Sequence, residues 1–200
     1  MITVLGIGPG KQKFLINNYQ DYLRKADIIL GSKRQIELFQ PYWQKCFSWS
    51  SLQELKRILF SHLKQKIILL ASGDPLIFGI GNWVIKNFGK EHVDIIPGIS
   101  SIQYMFSRLG LSMNQVYLAS SHGQKPDFNF LLKHQTIGMV TDNKFGPFEI
   151  AQEIKKYHQH RKIFVGERLS YPGEKISEYN ENNIKNRIYK MNVVIITDER

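Results

Sequence analysis

Short runs of consecutive apolar residues alternate along this chain with stretches whose apolar positions recur every three to four residues. Ile2–Leu5 is a continuous apolar run and reads as a buried strand. Asp27–Leu30, closed by Gly31, is a second short strand, and Val93–Ile96, ending at Pro97-Gly98, is another. Lys66–Ala71 is apolar enough to be a central strand covered on both faces. Between these runs, residues 11–26 place Leu15, Tyr19, Tyr22, Leu23 and Ala26 at helical spacing. Ser51-Leu52-Gln53-Glu54 has the spacing of a capping box and opens a helix whose stripe is Leu52, Leu55, Leu59 and Leu63. Further helices are expected around Gly81–Phe88 and from about Ser100.

The first half therefore predicts a βαβα lobe built on a mostly parallel sheet. The second half carries strand candidates at Val116–Ala119, Ile137–Thr141, Ile163–Gly166, Glu174–Tyr179 and Val193–Thr197. Only 127–134 and 147–158 look helical between them, so this lobe is expected to hold a mixed sheet. A boundary near Gly110–Asn114 divides the chain into an N-terminal α/β lobe, 1–112, and a C-terminal α/β lobe, 113–200.

Three unusual loops follow first-lobe strands: Gly6–Gly10, Ser72–Pro75 and Pro97–Ser101. In open α/β sheets, ligands bind beyond the carboxyl ends of the strands. The first loop fails as a dinucleotide fingerprint, because Lys11 stands where the third glycine belongs. It fails as a P-loop too, since Gln12 follows Gly10-Lys11. Pro9 also removes an N–H that could hold a phosphate. What remains is a backbone able to turn sharply and approach a ligand closely. Asp74, just past the apolar strand, is either a turn cap or a partner for a ligand. The hydroxyls of Ser100 and Ser101 either cap the next helix or face the same cleft.

Composition narrows the partners. A formal charge of +10 favours anionic ones: nucleic acid, an anionic membrane surface or a polycarboxylate small molecule. Basic residues are spread rather than blocked, and no aromatic–basic interleaving of the base-stacking kind is present, which makes nucleic acid a poor fit. No apolar stretch reaches the roughly 20 residues of a membrane span, and the N-terminal run is too short for a secretory signal. The lone Cys46 suits a reducing cytoplasm and, without companion thiols, no structural zinc site is expected. His158 and His160, two apart, do not share a helical face, so no metal site is expected there either.

The segments GIGPG (6–10), SGDP (72–75) and PGISS (97–101), in this order, resemble the tetrapyrrole (corrin/porphyrin) methylase family. SSHG (120–123) and GERLSYPGEKI (166–176) resemble its later landmarks and point to the branch that methylates C5 of a cobalt-precorrin in cobalamin synthesis. Ala71, where the family often has glycine, is a small departure. The resemblance implies the two-lobed class III methyltransferase fold, S-adenosyl-L-methionine as cofactor, and a cleft in which the folded cofactor lies. It implies cofactor contacts at Pro9, Ser72, Gly73, Asp74, Ile77, Phe78, Ser100 and Ser101, and at Met139, Val140, Thr141, Gly166 and Glu167.

The implied reaction is displacement at a sulfonium methyl by a ring carbon. Alignment can supply about 7–11 kcal/mol of the rate enhancement in such a reaction. Asp74 and His122 are the candidates for a base that takes up the ring proton. Carboxylate arms of the substrate would meet Arg108, Lys125 and Arg168, with Gly8, Ser121 and His122 beside them. Cobalt would arrive inside the substrate. The resemblance also implies a homodimer, and Cys46 places it in the cytoplasm. With the chain ending at Arg200, the C15-methylating decarboxylase found fused to some relatives is expected to be a separate protein. The rival readings are a ribosomal RNA or other tetrapyrrole methyltransferase of the same fold, or a non-catalytic protein that retains the cofactor site.

Overall fold

The computed structural model of the chain describes residues 1–10 and 12–198. They form two compact units, Met1–Ser100 and one from Ser101 onward.

The first unit is a five-stranded parallel sheet. Its strands are β1 (Ile2–Gly6), β2 (Ile28–Gly31), β3 (Cys46–Ser48), β4 (Ile67–Ala71) and β5 (Val93–Ile96), in the order β3-β2-β4-β1-β5. Alternate residues of β4 face opposite sides. Ile67, Leu69 and Ala71 pack with Leu55 and Leu59 of α3 (Leu52–Ser61) and with Val84 and Phe88 of α4 (Gly81–Phe88). Ile68 and Leu70 pack on the other side with Leu23, which lies on the helix Tyr19–Lys25, and with Phe39. Both faces of β4 are thus covered, as its unbroken apolar run requires.

The α3 cap is half of the expected box. Ser51 Oγ accepts the Glu54 N–H at 3.2 Å, while the Glu54 carboxylate accepts from the backbone and hydroxyl of Ser50. The helix expected over 11–26 is instead a 3₁₀ turn, Gln12–Phe14, followed by α1, Tyr19–Lys25; Lys11 lies outside the described residues. Asn17 and Asn18, poor helix formers, separate the two. The one-turn helix α2 (Lys33–Ile36) and the three-residue β3 are too short to leave a periodic signal, and the 3₁₀ segment Glu37–Lys45 is broken by a non-helical Phe39 and carries Pro41.

The second unit opens with α5 (Ser101–Leu109) and continues through β6 (Val116–Ser120), α6 (Phe128–Leu131), β7 (Thr136–Val140), α7 (Pro147–Lys156), β8 (Arg161–Glu167), β9 (Lys175–Tyr179) and β10 (Asn192–Asp198). The sheet order is β6-β7-β10-β8-β9. Only β6 and β7 pair in parallel; the other neighbours are antiparallel. One face carries Ile137, Met139, Val194 and Ile196 against Ile150 and Ile154 of α7. The other carries Val193 and Ile195 against Ile102, Met105 and Phe106 of α5.

The division between the units falls before α5, not after it as the sequence boundary at 112/113 has it. The reason is packing. A Cβ on Gly138 of β7 would lie 2.6 Å from Ile102 and 3.2 Å from Phe106, so the bare backbone there seats α5 on the second sheet.

Candidate functional site

In the first unit β1 lies between β4 and β5, all parallel, so the loops leaving their carboxyl ends are neighbours. They are also bonded into one body. Ile7 donates to the Ala71 carbonyl at 2.9 Å. Gly8 and Gly73 exchange both backbone hydrogen bonds, at 3.2 and 2.8 Å, each with φ near +70° (+69° and +66°). Such φ values suit glycine and strain other residues.

Asp74 joins the third loop. One carboxylate oxygen accepts the Leu76 and Ile77 N–H groups at 2.8 and 3.2 Å, and the other accepts the Gly98 N–H at 3.2 Å. Contact there is too close for any side chain: a Cβ on Gly98 would sit 2.2 Å from the Gly73 carbonyl oxygen. Beyond Asp74, Phe78 holds φ +53° and leaves 48% of its surface exposed. Pro9, Ser72, Gly73, Asp74, Ile77, Phe78 and Ser100 therefore belong to one edge of one sheet.

Ser72 has partners that the sequence reading missed. Its Oγ accepts from the Arg34 guanidinium and from Gln35 Nε2, both at 2.9 Å. Gln35 is buried, and its Oε1 accepts the Ser32 N–H at 2.7 Å. The spacing Ser32-x-x-Gln35 is that of a capping box and was legible as one.

In the second unit β6, β7 and β8 run the same way, so Ser120, Val140 and Glu167 end at one edge. His122 is exposed, and its imidazole has no bonded partner among the described residues. Thr141 donates to Asn192 Oδ1 at 2.8 Å. Asp142, also missed, does for this edge what Asp74 does for the other. Its carboxylate accepts the Gly123, Lys144 and Phe145 N–H groups at 2.8–2.9 Å. Those bonds, Gly123 first, hold its pKa at about 2, with His122 adding a smaller favourable field. A carboxylate just past an apolar strand was the available signal, as it was for Asp74.

Several expected site residues are occupied by structure. The Met139 side chain lies wholly in the core against α7, so it cannot present itself to a ligand. Ser121 is buried and donates to the Phe145 carbonyl at 2.7 Å. Glu167 is 7% exposed; its two oxygens grip the Arg187 guanidinium at 3.0 and 2.5 Å, and one accepts the Lys190 N–H. The Arg187 bond is the largest cause holding its pKa below the usual carboxylate range. Gly166 is buried beside Met105 and Leu169. Arg108 pairs with Glu174 at 3.1 Å and Lys125 with Glu153 at 2.6 Å.

Arg168 differs from those two cations. Its backbone donates to the Met191 carbonyl and holds φ +50°, and its side chain has no bonded partner among the described residues. Non-glycine residues held in this region cost of order 1–3 kcal/mol and persist where neighbours over-determine them. Here the Glu167–Arg187 grip lies on one side. On the other, Glu174 accepts from Ser170 N–H, Tyr104 and Arg108. Among the described residues, no three His, Cys, Asp or Glu side chains gather as a metal site. No described helix is long and apolar enough to cross a membrane.

The model of the Tetrapyrrole (Corrin/Porphyrin) Methylases matches residues 1–184. The chain belongs to the tetrapyrrole methylase family. This methylase is 37% identical over the full length of both chains to cobalt-precorrin-7 C(5)-methyltransferase of Salmonella typhimurium. It is 31% identical to a probable cobalt-precorrin-7 C(5)-methyltransferase of Methanocaldococcus jannaschii, over 88% of each chain. Its fold matches the crystal structure of the precorrin-6Y methylase of Archaeoglobus fulgidus with a TM-score of 0.81 at 24% identity, covering 100% of this chain and 99% of that one.

Proposed function

We propose that this methylase transfers a methyl group from S-adenosylmethionine to C5 of a cobalt-precorrin of the precorrin-7 type, in cobalamin synthesis. The observation that carries the reading is the 37% identity, end to end, with an enzyme named for that reaction. The first-unit edge suits the cofactor. It offers a tight backbone, a serine hydroxyl and the apolar surfaces of Ile77 and Phe78, and Pro9 in its first turn has no N–H for a phosphate.

When bound, the cofactor supplies a methyl on a positively charged sulfur, activated for displacement by a ring carbon. The protein's own work is alignment. The proposed cofactor contacts are Pro9, Ser72, Gly73, Ile77, Phe78 and Ser100 on the first unit. On the second they are Ser101, Val140, Thr141 and the backbone of Met139, Gly166 and Glu167. Asp74 positions the loops, because its oxygens already accept three N–H bonds. That leaves His122 as the group to take the ring proton. Arg168 meets a carboxylate arm of the substrate, with Gly8 nearby in that role; Arg108 and Lys125 do so by exchanging carboxylate partners.

The C5 step is assigned alone. The Salmonella relative matched along its whole length is named for the C(5) step alone, while a Sinorhizobium relative is named as both a C(5,15)-methyltransferase and a decarboxylase, so the C15 step is proposed to reside in a partner enzyme. A cytoplasmic homodimer completes the proposal.

The test incubates the purified protein with cobalt-precorrin-7, methyl-labelled S-adenosylmethionine and, in parallel, ribosomal RNA. Label at C5 of the corrinoid is expected. Label in RNA and none in the corrinoid would sink the reading.

A further inference from the structure

We infer that Gln35 and Arg34 fix the Ser72 hydroxyl as a hydrogen-bond donor, and that Ser72 thereby recognises a carboxylate. The inference rests on the methylase reading of this edge and adds the chemistry of the group bound there. A serine hydroxyl has one proton and two acceptor lone pairs. Both lone pairs are taken, one by the Arg34 guanidinium and one by Gln35 Nε2, each at 2.9 Å. A guanidinium cannot accept, so the Arg34 bond has one direction.

The Gln35 amide is equally fixed. Its oxygen accepts the Ser32 N–H at 2.7 Å, which leaves only its NH₂ to face Ser72. Gln35 is 7% exposed, so water does not compete freely for that amide. The Ser72 proton has no acceptor among the described residues, and Ser72 itself is exposed at the ligand edge. A third group meeting this hydroxyl must accept. The guanidinium beside it favours an acceptor with negative charge.

Two carboxylates are available in the proposed reaction: that of the cofactor's amino-acid end and those of the substrate's arms. Calorimetry on the full chain distinguishes them. The probes are S-adenosylhomocysteine, its decarboxylated analogue S-adenosyl-3-thiopropylamine, and uroporphyrin III as a carboxylate-armed tetrapyrrole. The variants are Ser72→Ala and Gln35→Glu. The second keeps an oxygen for Ser32 and replaces the NH₂ donor by an acceptor that captures the Ser72 proton. Each variant is expected to lose roughly ten- to a hundredfold in affinity for the carboxylate probe, the range for a hydrogen bond to a charged group.

Loss for S-adenosylhomocysteine with unchanged binding of the decarboxylated analogue assigns the cofactor's carboxylate. Loss for uroporphyrin III alone assigns a substrate arm. The double variant is expected to bind no worse than Ser72→Ala, because Gln35 acts through Ser72; a purely structural Gln35 would add its own loss. Wild-type binding with unmoved variants, or equal losses for the cofactor product with and without its carboxylate, overturns this inference alone. Wild-type protein that binds neither S-adenosylhomocysteine nor uroporphyrin III overturns the methylase reading and this inference together.

Discussion

Asp74 accepts the Gly98 N–H across 24 positions of sequence, and the same carboxylate caps the Leu76 and Ile77 amides of its own turn. A carboxylate so engaged is a loop tie. Asp74→Asn removes one acceptor and turns an NH₂ group toward existing donors. We expect affinity for S-adenosylhomocysteine to fall about tenfold, with the pH dependence of kcat unchanged. Steady-state kinetics over pH with parallel calorimetry decide it; loss of the acid-side limb from the kcat profile would mean that Asp74 is the proton acceptor.

Asp142 gives an acid-stability prediction. Its folded pKa of about 2 lies below the ordinary 3.8, so the folded state favours the ionised carboxylate. The stability it contributes is complete above about pH 4 and is lost as pH falls from about 4 to about 2. Asp142→Asn should lower Tm at neutral pH and flatten the Tm curve across that window. Thermal melts of both proteins from neutral pH into acid check it.

Gly98→Ala should be severe for so small a change. The new methyl would lie 2.2 Å from the Gly73 oxygen and 2.9 Å from the Gly6 carbonyl carbon. Overpacking of this kind costs roughly 1–3 kcal/mol, and here the strain falls on the proposed cofactor loops. Denaturant unfolding should show that loss, and S-adenosylhomocysteine should bind at least tenfold more weakly.

Glu167→Gln separates clamp from ligand contact. It leaves Arg187 without its bidentate partner, so stability should fall by about 1–3 kcal/mol. S-adenosylhomocysteine affinity should change less than threefold, since only the Glu167 backbone is proposed to face the ligand. A large affinity loss with unchanged Tm would reverse that assignment.

Arg168→Ala should raise KM for the tetrapyrrole about tenfold while leaving kcat and cofactor affinity near wild type. Arg108→Ala should do less, because Glu174 already holds that guanidinium at 3.1 Å. Equal effects at the two positions would remove the distinction drawn from their partners.

The strands were legible because their interiors are apolar without interruption. The carboxyl end of β4 and the spans of β5 and α4 are where the hydrophobic pattern puts them. The sheet-edge loops were legible as glycine, proline and aspartate at strand ends. What the sequence could not reveal was which polar side chains are already satisfied. Ser121 and His122 are adjacent, yet one hydroxyl is buried on the Phe145 carbonyl and the other side chain stands exposed. Glu167 and Arg168 divide the same way, one locked to Arg187, one without a bonded partner among the described residues. Such differences come from contacts between segments 20 or more residues apart, as in Glu167 with Arg187, and no local spacing encodes them. The place of α5 was missed for the same reason: Gly138, which seats it, lies beyond the turn near Gly110–Asn114 where the sequence divides the chain.

The order β6-β7-β10-β8-β9 also sets a timetable for synthesis. The first sheet has all its strands once residue 96 has left the ribosome, whereas the second lacks its middle member until residue 198 follows. Until then β7 and β8 have no template between them, and their inner edges stay open to wrong partners. A nascent chain stalled just before Asn192 should therefore carry a protease-resistant first half and a cleavable second half.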